Sequence, residues 1–323
     1  MSDHYPTNLV DPSPFSVIDY YSHKNILITG CTGYLGKVIL EKLLRSIPEI
    51  GRIYVLIREK KGLTSQDRCK QDILDGICFK RLKIELGVEE FNALIAEKVV
   101  AISGDIASDR LGLRIEDQKM LIEECDAIIH SAADVSFDKH FHDIIEVNYN
   151  GSMRVLDLAK QCKRLSALTY ISTVGANLDK LGLKTEKIYI DKKYADPQKA
   201  VDKIMAMPKE EVSRNERSIL GDFSVNYILV KNWSEKNMIR TRGGVPLIIV
   251  RPAQISNAWK EPFPSYVDQV QSLQALIFAT GTGILNYYKY YLGRRLDLLP
   301  VDISANHAII ATAFKGSTFL KNK

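Results

Sequence analysis

Short apolar runs rich in Ile and Val punctuate the first 250 residues, at 25–29, 53–57, 99–102, 127–130, 168–171 and 246–250. Their near-continuous hydrophobicity suits strands covered on both faces, as in a parallel sheet. Between them run helical patterns. Positions 36–47 carry Val38, Ile39, Leu43, Leu44 and Ile47 at spacings of three and four, and 150–160 repeats the rhythm. Strands alternating with helices require right-handed crossovers and predict an α/β fold, a Rossmann-type doubly wound parallel sheet.

Two stretches break the rhythm. Residues 177–223 are polar and mixed in charge, too long for a plain loop, and read as an insertion between core elements. After Arg251 come Pro252, Pro262 and Pro264, then a helix-like segment rich in Leu and aromatics. Residues 252–323 are expected to form a small C-terminal substrate subdomain. The division is therefore a lead-in at 1–22, a doubly wound domain at 23–251 carrying the insertion, and that subdomain.

Composition narrows the classes. With 46% hydrophobic and 26% charged residues, the 323-residue chain is neither disordered nor fibrous. Forty-four Lys and Arg against thirty-nine Asp and Glu leave +5. The charges alternate instead of clustering, which argues against nucleic acid and for a basic rim suited to small anions. The five cysteines, Cys31, Cys69, Cys78, Cys125 and Cys162, form no C-x-x-C pair and read as reduced intracellular thiols. His140 and His142 lack a third ligand at useful spacing, so no metal is expected. The N-terminus has no signal-peptide pattern, the C-terminus no peroxisomal tripeptide, and no run of about 18 apolar residues exists to span a membrane.

Chemistry enters at Thr29-Gly-Cys-Thr-Gly-Tyr-Leu-Gly36, between the first strand and the first long helix. Gly30, Gly33 and Gly36 permit a tight turn, and the helix N-terminus at Thr32, Tyr34 and Leu35 offers backbone N–H groups to a pyrophosphate. Cys31 within it is a small filler. A P-loop is excluded: Gly30 stands one residue too far from Gly36-Lys37, and Val38 replaces the magnesium-binding hydroxyl. Arg58 ends the second strand, where an NAD-specific protein places an acid, and so argues for NADP(H), with Lys60 or Lys61 in support. Asp105, after the third strand, is placed either to reach the adenine edge or simply to hold a turn.

Tyr227 and Lys231 stand four residues apart, hence on one helix face. Asn148, Ser172 and Thr173 fall near the ends of the fourth and fifth strands, the edge where such sheets bind ligands.

With these motifs in place, the sequence resembles the extended short-chain dehydrogenase/reductases and, within them, the fatty acyl-CoA reductases, over roughly residues 15–315. The resemblance rests on 28–45, Tyr54-Val-Leu-Ile-Arg58, Ile129-His-Ser-Ala-Ala-Asp-Val-Ser-Phe137, Asn148-Tyr-Asn-Gly151, 171–177 and the Tyr227/Lys231 pair. It is most specific in Val250-Arg-Pro-Ala-Gln-Ile255, Ala258-Trp-Lys-Glu-Pro-Phe-Pro264 and Leu299-Pro-Val-Asp302.

The resemblance implies NADPH-dependent reduction of a long-chain acyl-CoA thioester through aldehyde to fatty alcohol. It implies Tyr227, Lys231, Thr173 and Ser172 as catalytic residues, with Thr173 favoured over Ser172. It also sets Ile106, Ala132, Ala133, Asn148, Lys231 and Pro252 beside the NADPH. An intracellular location is expected, cytoplasmic or peripheral on a peroxisomal or ER membrane. The chain departs from the family at Ser172-Thr-Val-Gly175, commonly Ser-Thr-Ala-Tyr, and at Pro262-Phe-Pro-Ser-Tyr266, commonly Pro-Phe-Pro-Gly-Trp. These changes bear on pocket shape. The C-terminal domain and hydrophobic tail of many members have no counterpart here, so altered membrane attachment and activity are expected. Rival readings are a thioester reductase acting on carrier-protein acyl groups and a catalytically silent NADP-binding scaffold. A nucleotide-sugar epimerase is disfavoured by Arg58 and the text after Pro252. Trp259 reads equally as a packing anchor or a pocket wall, and 287–291 as an amphipathic helix touching a bilayer or acyl chain.

Overall fold

The structure, a computed structural model, describes residues 15–60, 62–177, 186–188, 196–270, 272–287 and 296–321. Lys61, much of the insertion, most of 287–291 and the chain ends lie outside the described residues.

Six strands, β1 (Ile26–Thr29), β2 (Ile53–Ile57), β3 (Val99–Ser103), β4 (Ala127–His130), β5 (Ala167–Ile171) and β6 (Leu247–Val250), form one parallel sheet in the order β3-β2-β1-β4-β5-β6. Each falls within a residue or so of an expected apolar run. Residue alternation assigns their side chains to two cores. Ile26, Ile28, Ile53, Val55, Ala127, Ile129 and Ala167 point to one face, whereas Leu27, Tyr54, Leu56, Ile128, Leu168 and Tyr170 point to the other. Both faces are covered, which is why the runs do not alternate apolar with polar and their few polar residues, Thr29, His130 and Thr169, are buried.

In chain order the helices are α1 (Val17–Tyr21), α2 (Tyr34–Ser46), α3 (Ser65–Arg68), α4 (Lys80–Leu86), α5 (Val88–Lys98), α6 (Ile115–Glu124), α7 (Phe141–Ile144) and α8 (Gly151–Gln161). They continue with α9 (Pro197–Ala206), α10 (Lys209–Leu220), α11 (Asn226–Thr241), α12 (Ser272–Gly281) and α13 (Val301–Lys321). Helix α2 starts two residues before its expected beginning because the glycine turn runs straight into it. Helices α2 and α13 cover one face, and α6 and α8 the other. The insertion contributes α9 and α10, whose Val201, Ile204, Val212 and Leu220 build a third core with Phe141, Ile145, Tyr149 and Trp233.

Residues 252–323 contribute two different things. Strands β7 (Gln254–Ser256) and β8 (Leu298–Pro300) pair separately from the main sheet. Helix α13, by contrast, belongs to the doubly wound core: Val301, Ala305, Ala308, Ile309 and Ala313 are buried there, and Thr312 Oγ1 lies 2.6 Å from Thr169 Oγ1 of β5.

Strand order reverses between β1 and β4, so a crevice opens at their C-terminal ends. The candidate site lies along that edge.

Candidate active site

The turn after β1 is shaped by close approach. Gly30 has φ +84°, and a Cβ there would lie 2.7 Å from Ala132 N; one on Gly36 would lie 2.2 Å from Gly30 O. Only glycine lets the β1 and β4 ends and the α2 start draw this close. The Gly33 N–H donates to Gly30 O at 2.9 Å. Gly33 caps α2 with no side-chain partner, and the first turn holds no acid. The cradle and the free helix N-terminus therefore fit a dinucleotide's pyrophosphate. Thr32 is part-buried within the turn. Leu35 and Cys31 turn into the core. Tyr34 sends its hydroxyl to Tyr266 O at 2.7 Å and Ser256 O at 3.3 Å, which pins the 256–266 segment to α2.

Arg58 stands just beyond β2 with its side chain 60% exposed, and its Nη1 lies 3.4 Å from Asp105 Oδ2. The other Asp105 oxygen accepts from Ala107 N at 3.0 Å, the turn-holding role. Ile106 is buried, and its carbonyl accepts from Arg154 Nη1 at 3.2 Å. Lys60 closes a backbone bridge to Leu63.

A buried polar chain beside the turn went unseen in the sequence. Ala132 N donates to Thr29 Oγ1 at 3.2 Å, and that oxygen lies 2.7 Å from His130 Nδ1. His130 Nε2 lies 3.1 Å from Ser152 Oγ, which donates to Asn148 O at 2.6 Å. Because Ser152 spends its proton on Asn148 O, it accepts from Nε2–H. Nδ1 then accepts from Thr29, and one neutral tautomer satisfies the whole chain. Burial and the Lys231 charge lower the imidazole to about 3, in keeping with that neutrality. The sequence signal was a lone His inside an apolar strand.

Asn148 commits both ends of its amide to Asp134, accepting from its N–H and donating to its carbonyl, each at 2.8 Å. It shapes the loop after β4, where Ala132 and Ala133 border the turn and are part-buried. Pro252 accepts from Val174 N at 3.0 Å and so holds the segment after β5.

On that segment the two hydroxyls differ. Ser172 Oγ is buried without a hydrogen-bond partner among the described residues. Thr173 Oγ1 accepts from Gly175 N at 3.1 Å and keeps its own proton to donate.

Helix α11 carries Tyr227 in its first turn and Lys231 one turn on. Its buried residues mix polar Lys231, Asn232, Ser234, Glu235 and Asn237 with apolar Leu229, Val230, Trp233 and Met238. Lys231 Nζ donates to Ile171 O at 2.8 Å and lies 4.5 Å from the Tyr170 ring centroid. Burial lowers this ammonium to about 7, with Glu235 acting in the opposite sense. Tyr227 packs 5.9 Å from the Phe137 ring, and burial pushes its phenol up to about 12, so it is protonated at neutral pH. The 258–264 turn is held from α13: the Asp302 carboxylate accepts from the N–H groups of Trp259 (2.9 Å), Lys260 (2.9 Å) and Glu261 (3.2 Å). The two distinctive motifs at 258–264 and 299–302 are thus one clasp. Trp259 is itself 60% exposed.

Among the described residues no group of three His, Cys, Asp or Glu is set to hold a metal. His140 and His142 face the carbonyls of Lys209 (3.1 Å) and Ile204 (2.8 Å). No described helix is long and apolar enough to cross a membrane.

The strand order and the glycine cradle beside the Tyr/Lys helix define a Rossmann-type reductase domain of the extended short-chain dehydrogenase/reductase kind. The NAD-binding family model described as male sterility protein matches residues 28–308, and the chain belongs to that family. Its site is accordingly one for a nicotinamide dinucleotide.

Fatty acyl-CoA reductase 1 of Homo sapiens is 34% identical over 301 residues, which are 93% of this chain and 56% of that protein. Fatty acyl-CoA reductase 8 of Arabidopsis thaliana is 28% identical over 93% of this chain and 65% of its own length. The chain thus spans a little over half to two thirds of these relatives. Among solved structures, the terminal R domain of the myxalamid PKS-NRPS pathway matches with TM-score 0.62 and 26% identity, over 90% of this chain and 62% of that one. A thiolation-reductase di-domain from an archaeal non-ribosomal peptide synthetase shares the fold at TM-score 0.60 and 21% identity, over 92% of this chain and 57% of that one.

Proposed function

We propose that the chain reduces long-chain fatty acyl-CoA thioesters with NADPH, through the aldehyde to the fatty alcohol. The observation that carries the reading is the α11 pair: a protonated phenol at Tyr227 one turn from a buried Lys231 that is tied to the end of β5. The relatives named fatty acyl-CoA reductase supply the substrate class.

NADPH supplies hydride when bound. Gly30, Gly33 and the N–H groups opening α2 would hold its pyrophosphate, and Arg58 would take the 2′-phosphate in place of the long contact to Asp105. Negative charge gathers on the carbonyl oxygen as the carbon is reduced, so Tyr227 and Thr173 donate to that oxygen most strongly in the transition state. Tyr227 releases its proton there as general acid. Lys231 holds the nicotinamide ribose hydroxyls and keeps positive potential beside the phenol. Collapse of the hemithioacetal expels the CoA thiolate and returns the hydroxyl proton to Tyr227, and a second NADPH would supply the hydride, with Tyr227 again giving the proton, that takes the aldehyde to the alcohol. A free carboxylate resists hydride, so the substrate arrives activated. We place the protein inside the cell, peripheral on a membrane; α12 exposes Leu276, Ile277 and Phe278 and has no buried side chain among those described.

The R-domain likeness favours one second reading, an acyl group carried on a carrier protein. Purified protein is mixed with NADPH and either palmitoyl-CoA or palmitoyl carrier protein, following absorbance and products. CoA turnover to alcohol is expected. Tyr227→Phe should lower kcat by about 10²- to 10⁴-fold while NADPH affinity stays within about threefold. Tight NADPH binding with no turnover of either thioester would refute the reading and leave a silent scaffold.

A further inference from the structure

A buried carboxylate and a part-buried guanidinium behind the site have no part in the chemistry above. Glu235 lies one helical turn beyond Lys231 on α11 and is 2% exposed. Arg251, the residue after β6, grips it side-on, Nε to Oε1 at 2.9 Å and Nη2 to Oε2 at 2.7 Å. A planar fork on both carboxylate oxygens fixes direction as well as distance.

The location gives the pair its meaning. Arg251 sits between two residues that hold the Ser172–Thr173 segment: Val250 O accepts from Ser172 N at 2.8 Å, and Pro252 O accepts from Val174 N at 3.0 Å. On the other side, Lys231 Nζ reaches Ile171 O at 2.8 Å. The contacts close a ring: α11 to the β6 end through Glu235 and Arg251, β6 to β5 through backbone, and β5 back to α11 through Lys231. The phenol, the ammonium and both hydroxyls ride on this ring.

We infer that Glu235, held by Arg251, is a positioning residue that sets the height of the Tyr227/Lys231 helix against the Ser172–Thr173 segment and fixes a carboxylate one helical turn beyond Lys231. The inference rests on the reductase reading for its kinetic arm alone. Stability is a poor account of the pair, because desolvating two ions offsets most of their attraction, and apolar residues of similar volume replace such pairs at little cost. The groups around Lys231 support the electrostatic part. Tyr227 and Glu235 share its helix, His130 comes from β4, Tyr170 from β5 and Arg251 from beyond β6. Tyr227 and His130 are neutral near pH 7, so Glu235 is the anion among them.

The test uses the full chain with two variants, Glu235→Gln and the apolar double replacement Glu235→Leu/Arg251→Met. The double variant guards against a single substitution that fails to fold by removing the carboxylate opposite Arg251. Unfolding temperature, kcat and KM for palmitoyl-CoA, and NADPH affinity from pH 5.5 to 9 are measured. We expect the double variant to unfold at the wild-type temperature or above, with kcat down about 10- to 100-fold and KM within about threefold. The pH above which NADPH binding weakens should fall by about one unit in both variants, because Lys231 gives up its proton earlier. A folded double variant with wild-type kcat and an unmoved binding midpoint overturns the inference. If wild-type protein binds NADPH but turns over no thioester, the substrate reading fails while the binding midpoint still decides the role of Glu235.

Discussion

Lys231→Met is expected to make the protein more stable at pH 6 while removing its activity. In the unfolded chain the amine titrates near its ordinary 10.5, and in the fold near 7. Below pH 7 the ammonium is present in both states, and its burial costs the native state about 5 kcal/mol at roughly 1.4 kcal/mol per pH unit. Replacement by Met keeps the volume and sheds that cost. It also forfeits the Ile171 hydrogen bond and the contact with the Tyr170 ring, together about 2 kcal/mol. A net gain of about 3 kcal/mol remains at pH 6. Between 7 and 10.5 the unfolded wild-type chain holds the extra proton, so wild-type stability climbs by about 1.4 kcal/mol per pH unit relative to the variant. The two curves should cross near pH ~9. Urea unfolding of both proteins at half-unit steps from pH 6 to 10 gives this difference directly and cancels groups common to both. A difference that does not change with pH, or a variant less stable at pH 6, would show that the fold does not depress this amine.

Arg58→Asp should weaken NADPH by about 10- to 100-fold and leave NADH within about threefold, read by nucleotide fluorescence titration; an unchanged preference removes Arg58 from the 2′-phosphate. Asp302→Ala strips the acceptor from three backbone N–H groups and should cost about 3 kcal/mol in urea unfolding at pH 7. Those N–H groups hold the Asp302 carboxyl below its usual value, so its contribution is full above the ordinary carboxylate range and fades as the pH falls through the lowered one. The wild-type advantage should therefore shrink in acid, and an advantage constant down to pH 3 would contradict the clasp.

The sheet was legible because a strand covered on both faces carries few polar residues, each of which needs a buried partner, so β1, β2, β4 and β5 stand out as largely apolar runs. The cradle was legible because Gly36 answers to Gly30 and Cys31 within the turn itself, although Gly30 answers to Ser131 and Ala132 after β4. The buried polar partners were not. His130 is one polar letter in an apolar run, and its role depends on Thr29 and Ser152, which are 101 and 22 positions away. Glu235 and Arg251 look like ordinary surface charges in a chain that is 26% charged. Asn148 and Tyr34 stand in motifs assigned to the cofactor, yet their side chains are committed to Asp134 and to the carbonyls of Tyr266 and Ser256. A motif gives a residue's place in the chain, whereas its partner is chosen by which segments the fold brings within hydrogen-bond reach. Helix α11 carries this furthest. Apolar periodicity revealed α2 and α8, but α11 buries Lys231, Asn232, Ser234 and Glu235 alongside Leu229, Val230 and Trp233, so its polar and apolar residues are not sorted onto separate faces. The signal that finds helices is therefore weak on the helix that bears the chemistry, and the four-residue spacing of Tyr227 and Lys231 is what betrays it.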